Sequence, residues 1–282
     1  MDYSRFCAVG TTYTHEYVPG DIGVELLQVH FSPGLPSQYP PVIFLAGWAS
    51  LIYSWEIVLR EMTKDFEVYY VETREKSSAI HLTEQPLKIN TLVNDLPSVL
   101  SNNNLTGKPY IFFGSSLGAT VILDAMSKKK ADPTIAILIG PNAEFNAPWY
   151  WLMITRLTPL FLYPILKPAV KWYMKKKYLD MNSDPKQYEK YSHSLDKANI
   201  GRLRRSALNF SSYKIWEKLS NIHQKVFIFT GSKDVMHGYE NTLKMVELLP
   251  NCKLVDLKTN ARTHSIEMVG KMRVLLKEYA NV

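Results

Sequence analysis

The stretch from Pro109 to Thr120, PYIFFGSSLGAT, constrains this chain more than any other. An apolar β-run ends in Gly114-Ser115-Ser116-Leu117-Gly118, and the residues from Leu117 to Lys129 carry helical spacing. The pattern is G-x-S-x-G between a strand and a helix. A serine hydroxyl is a weak nucleophile. A sharp strand-to-helix turn exposes it beside a helix N-terminus, whose amides favour developing negative charge. Such a turn tolerates little bulk two residues either side of the serine, which accounts for Gly114 and Gly118. Ser116 is therefore the candidate nucleophile.

The surrounding chain alternates in the way a mostly parallel α/β sheet requires. Apolar runs predict strands over Val24 to Phe31, Pro41 to Ala46, Phe66 to Glu72, Tyr110 to Phe113, Thr134 to Ile139, Val226 to Phe229 and Lys253 to Leu257. Between them, apolar residues three and four apart predict helices over Leu51 to Met62, Ile89 to Ser101, Leu117 to Lys129, Tyr239 to Leu249 and Ile266 to Tyr279. The alternation stops after Gly140-Pro141 and resumes near Ile215. A helical cap over residues 142–214, inserted into a core of residues 1–141 and 215–282, fits this break, and 282 residues suffice for one sizeable core.

On these residues the chain resembles the α/β-hydrolase superfamily from about Val24 to Tyr279. The resemblance implies an eight-stranded, mostly parallel sheet flanked by helices, with a cap after the sixth strand. It also implies three further catalytic parts. VFIFTGSKD ends in Asp234, where the family's acid follows the seventh strand, and a carboxylate there would orient an imidazole and stabilise its positive charge. Glu144, after the sixth strand, is the alternative acid. Thr263-His264-Ser265 precedes the last helix, which makes His264 the candidate base, with His237 its one rival. The loop from Phe44 to Ser50 looks like the oxyanion loop, with Ala46 where relatives show histidine; its donors would be the N–H groups of Trp48 and Leu117, with Gly47 permitting close approach. The Trp48 side chain fits a substrate wall and core packing equally. The stretch from Val71 to Ser78 departs from the Arg-Gly-x-Gly of many relatives, so no subfamily substrate carries over.

The net charge of +7 is local. Residues 142–215 hold thirteen Lys and Arg against five Asp and Glu, leaving the remainder about neutral. The segment pairs aromatics, Trp149 and Trp151 among the candidate substrate contacts, with Lys175-Lys176-Lys177 and Arg202, Arg204 and Arg205. That composition fits a solvated lid, and equally a face lying on an anionic membrane. Prolines 148, 159, 164 and 168 with Arg156 and Lys167 interrupt the apolar run too often for a transmembrane helix. The N-terminus carries no secretory pattern, so the sequence predicts a cytoplasmic protein, with membrane association through the cap the alternative to a solvated lid.

The two cysteines, Cys7 and Cys252, lie too far apart in sequence and too poor in neighbouring ligands to suggest a disulfide framework or a zinc site. No metal cluster, dinucleotide fingerprint or nucleic-acid motif is present, so no cofactor, no metal and no nucleic-acid partner is expected. The expected activity is hydrolysis of a carboxylic ester, including a lipid-like one, through an acyl-enzyme, by a monomer or dimer. Thioester hydrolysis and acyl transfer use the same residues, and a non-catalytic binding protein would share the fold.

Overall fold

The computed structural model describes residues 2–177, 185–234 and 238–280. Among them, nine strands form one mixed sheet: β1 (Thr12–Pro19), β2 (Val24–Ser32), β3 (Val42–Leu45), β4 (Val68–Val71), β5 (Ile80–His81), β6 (Ile111–Ser115), β7 (Ile135–Ile139), β8 (Lys225–Thr230) and β9 (Cys252–Asp256). The spatial order is β1-β2-β4-β3-β6-β7-β8-β9, with β5 on the side of β2. β1 and β2 pair antiparallel, as do β2 and β4; every pair from β4 across to β9 is parallel. The expected eight strands are all present, and the ninth, β5, is two residues long.

The parallel strands read as continuous apolar runs because both faces of the sheet are covered. In β3, Ile43 and Leu45 enter one core while Val42 and Phe44 enter the other, and Ile111, Phe112 and Phe113 of β6 alternate in the same way. One core packs under α2 (Ile89–Asn102), α3 (Leu117–Ser127) and α8 (Tyr239–Leu248). The other packs under α1 (Glu56–Met62) and α10 (Ile266–Ala280). β1 escaped the apolar reading for a physical reason: it is an edge strand in which Val18 alone is buried.

Between β7 and β8 lie α4 (Trp149–Leu157), α5 (Tyr163–Lys177), α6 (Pro185–Lys197) and α7 (Ile200–Phe210), so the insert follows the sixth strand when β5 is set aside. α7 ties it to the core. Arg202 Nη1 donates to the carbonyls of Lys76 and Ala79 at 2.7 and 2.8 Å, and Arg205 pairs with Glu84. Arg204 donates to the Thr155 and Arg156 carbonyls at the end of α4. The three arginines thus hold the insert together and down. No helix among the described residues is long and apolar enough to cross a membrane.

The chain beyond β4 carries charge into the interior. Arg74 and Asp95 are 1% and 2% exposed and form a two-pronged ion pair, with Nε to Oδ2 at 2.8 Å. Asp95 Oδ1 also accepts the Asp21 N–H at 2.7 Å, joining the β1–β2 hairpin to α2. Removing one member leaves the other charged and buried. Asp95→Ala should therefore cost about 3–5 kcal/mol of folding stability, read from urea unfolding. A loss under 1 kcal/mol would show that the pair holds nothing.

Candidate active site

Ser116 stands between β6 and α3 with φ +47° and ψ −111°, a conformation L-residues seldom adopt. Its surroundings hold it there. The Ser116 N–H donates to the Ile139 carbonyl of β7 at 2.8 Å, and the Thr120 N–H returns to the Ser116 carbonyl at 3.0 Å. A Cβ on Gly118 would lie 2.1 Å from the Leu45 carbonyl oxygen, and one on Gly114 would lie 2.8 Å from the Ala119 nitrogen. Only glycine lets α3 sit this close to the ends of β3 and β6. The spacing of G-x-S-x-G is therefore a contact requirement.

The loop after β3 borders the same serine. A Cβ on Gly47 would meet the Ser116 Cβ at 3.3 Å. Leu117, buried, is the first residue of α3, where an amide has no intrahelical acceptor. Trp48 extends from this loop toward the insert, and its Nε1 donates to Ser206 Oγ of α7 at 2.9 Å. Ser50 Oγ accepts from Trp55 Nε1 at 3.2 Å, and the buried Trp55 ring packs on His264 with centroids 4.4 Å apart. The loop after β3 thus lies close to Ser116 and reaches His264 through Trp55.

Asp234 and His264 lie on neighbouring segments. A Cβ on Gly231 would be 2.7 Å from the Thr259 carbonyl carbon, so the turn after β8 presses on the chain entering α9 (Asn260–Thr263). The Lys233 N–H donates to the Lys258 carbonyl at 2.8 Å. Asn260 spans the two residues: its Nδ2 donates to Asp234 Oδ2 at 2.8 Å, and its carbonyl lies 3.1 Å from His264 Nδ1. Thr263 Oγ1 is 3.0 Å from the same ring nitrogen. Glu144, the alternative acid, is engaged elsewhere, bonded to Asn146 and paired with Lys214 at 3.3 Å. His237 lies outside the described residues.

Asn142, just beyond β7, is a contact the sequence did not single out. Its Nδ2 donates to Ser116 Oγ at 3.3 Å, and its backbone is fixed by Thr120 Oγ1, which donates to the Asn142 carbonyl at 2.8 Å. Asn260 was equally unremarked. The available signals were a polar residue directly after the Gly140-Pro141 break and another four before His264, neither of which is distinctive in a loop.

Beside Trp48 and Ala49 opens a cavity of about 370 Å³ between the loop and the insert. It is lined by Trp151, Ile154, Leu160, Leu166, Val170 and Leu203 among others, and among the described residues no Asp or Glu lines it. Arg204, the one charged residue among the described lining, donates to the carbonyls of α4. Trp151 lines this cavity and packs on Tyr173. Trp149 does not line it; 73% exposed, it lies in a shallow groove on the outer side of α4.

Comparison with known proteins agrees with this architecture. Residues 64–263 match the family described as serine aminopeptidase, S33. No curated protein sequence matches the chain. Among solved structures, an esterase from Thermogutta terrifontis superposes with TM-score 0.72 at 15% identity, covering 96% of this chain and 98% of that one. An enol-lactonase from Burkholderia xenovorans LB400 gives 0.75 at 13%, covering 95% and 100%. A bromoperoxidase from Bacillus anthracis gives 0.75 at 14%, covering 94% and 100%. At such identities the likeness is one of fold.

The turn that carries Asp234 rests on Asp256, whose Oδ1 accepts the N–H groups of Ser232 and Lys258 at 3.0 and 2.7 Å while Oδ2 pairs with Lys258 Nζ. Partial burial alone would raise this carboxyl, but the hydrogen bonds from Lys258 and Ser232 outweigh it and hold the group well below its ordinary 3.8. A lowered pKa in the folded state means stability that is present above the unfolded value and lost as pH falls. Asp256→Ala should therefore be less stable than wild type at neutral pH, and the gap should narrow as pH drops below 3.8. Urea midpoints across the acid range check this; a gap that stays constant with pH would refute it.

Proposed function

Because the chain belongs to the S33 serine aminopeptidase family of α/β-hydrolases, we propose that it is a serine hydrolase whose substrate is a carboxylic ester with an apolar acyl chain. The observation that carries this reading is the positive-φ Ser116 packed near Gly47, whose loop continues into Trp48 and Ala49 at the edge of an apolar cavity. In it, Ser116 Oγ attacks the ester carbonyl and His264 takes the hydroxyl proton. Asp234 stabilises the imidazolium, and the N–H groups of Trp48 and Leu117 receive the oxyanion. His264 then passes the proton to the leaving alcohol, and water hydrolyses the acyl-serine by the same steps in reverse.

The supporting geometry is the close packing of Gly47 near Ser116, the opening of α3 at Leu117, and the Asn260 bridge between the Asp234 and His264 segments. An ester suits the cavity better than a peptide amino terminus. An α-ammonium group brought into this site would need a carboxylate partner, and among the described residues that line the cavity there is no Asp or Glu. A volume of about 370 Å³ falls at the lower end of the roughly 300–1,000 Å³ range of small-molecule sites, which suits one acyl chain. Trp48, joined to the insert through Ser206, would then be a substrate wall.

Release of p-nitrophenol from esters of increasing acyl length tests the proposal. Wild type should turn over, with preference rising from acetyl toward medium chains. Ser116→Ala should retain no more than about one part in a thousand of the rate, since removing a nucleophile of this kind abolishes the covalent route. Equal turnover by both proteins would sink the serine assignment, and a flat chain-length profile would remove the acyl chain from the cavity.

A further inference from the structure

α4 has two apolar sides. One lines the cavity through Trp151, Ile154 and Thr155. The other faces solvent: Trp149, Met153 and Leu157 recur at helical spacing, 73%, 49% and 70% exposed, and no residue of α4 is buried. Beyond Pro159, Phe161 and Ile165 are 76% and 74% exposed, and Trp172 on α5 is exposed as well. Scattered exposed apolar residues are ordinary, but a run of large ones over two successive helices marks a contact surface.

The charge on this face selects its occupant. From Trp149 to Lys177 the sequence holds six basic residues and no acidic one. Lys167 and Lys171 share Asp196 of α6, at 3.0 and 2.7 Å. Arg156, Lys175 and Lys176 are exposed, and Lys176 Nζ lies 5.3 Å from the centre of the Trp172 ring. Aromatic and aliphatic side chains fringed by cations are what an anionic bilayer surface receives, the rings entering the headgroup layer while the cations meet phosphates. A second copy of the chain would set like charge against like. No described helix can cross a membrane, so the face lies on the surface.

We propose that the outer face of α4 and α5 docks the protein onto an anionic phospholipid bilayer, with the acyl cavity directly behind the docked helix. The docking does not depend on the hydrolase reading, because vesicle binding is read without turnover.

The test uses the full chain carrying Ser116→Ala, so that lipid is not consumed, and flotation with vesicles of phosphatidylcholine alone or with added phosphatidylserine. The protein should float with the phosphatidylserine vesicles at low ionic strength. It should be released by about 1 M salt, where the screening length falls to roughly 3 Å. Phe161→Ser with Ile165→Ser should lower vesicle affinity roughly tenfold or more, and Lys175→Ala and Lys176→Ala about fivefold each. None of the four residues lines the cavity, so on the Ser116 background each variant's turnover of a short soluble ester and its far-ultraviolet circular dichroism should match the parent and establish folding. Absence of flotation, flotation indifferent to both variant pairs, or self-association in place of flotation would each overturn the proposal, the last assigning the face to a second copy.

Discussion

A serine at positive φ between a parallel strand and a helix is the constraint on which the rest of this structure depends. A non-glycine residue in such a conformation costs on the order of 1–3 kcal/mol and persists only where its surroundings over-determine it. Here three strands do so. β7 receives the Ser116 amide through Ile139, β6 delivers the turn, and the end of β3 accepts the close approach of Gly118 at the Leu45 carbonyl. Loss of parallel register between β3 and β6 would remove the oxygen against which α3 is seated. The sheet is thus the device that holds one half-buried serine at the turn, and its two buried faces supply the energy for the strain.

A second dependence joins the site to the insert. Trp48 follows the glycine that touches Ser116, yet its indole nitrogen is held by Ser206 of α7, and α7 is itself pinned by Arg202 to the carbonyls of Lys76 and Ala79. Movement of α7 would therefore move both a wall of the cavity and the loop beside the serine. The departure from Arg-Gly-x-Gly after β4 acquires a role in this arrangement. Its buried charged stretch presents the carbonyls that α7 grips, and Arg74 within it fastens α2 through Asp95.

What could be read from the sequence follows from how each feature is encoded. β3, β6, β7 and β8 were legible because burial on two faces leaves an unbroken apolar run, and Ser116 because steric necessity writes glycine at fixed offsets. β1 was not, since only Val18 of its eight residues is buried and pairing along an edge needs no apolar signature. The arginines of α7 read as surface charge because their partners are mainly backbone carbonyls, which no sequence pattern marks. Asn142 and Asn260 were silent for a related reason: asparagine is ordinary in loops, and only the meeting of β7 with α3, or of the β8 turn with α9, gives either one its partner. For Trp48, which the sequence left between wall and core, the structure supplies both a cavity edge and a fixed orientation.

The apolar run of the insert shows how one composition serves two surfaces. A helix that is hydrophobic all round is normally enclosed, by protein or by lipid. Here Thr158 and Pro159 break the run into α4 and α5, neither of which is long and apolar enough to cross a bilayer, and α7 packs against α4 while Lys167 and Lys171 of α5 pair with Asp196 of α6. The covered side becomes the cavity wall and the open side keeps Trp149, Leu157, Phe161 and Ile165 in contact with solvent. The cavity wall and the exposed outer face are two sides of one helix, and from Trp149 to Lys177 the same segment carries six basic residues and no acidic one.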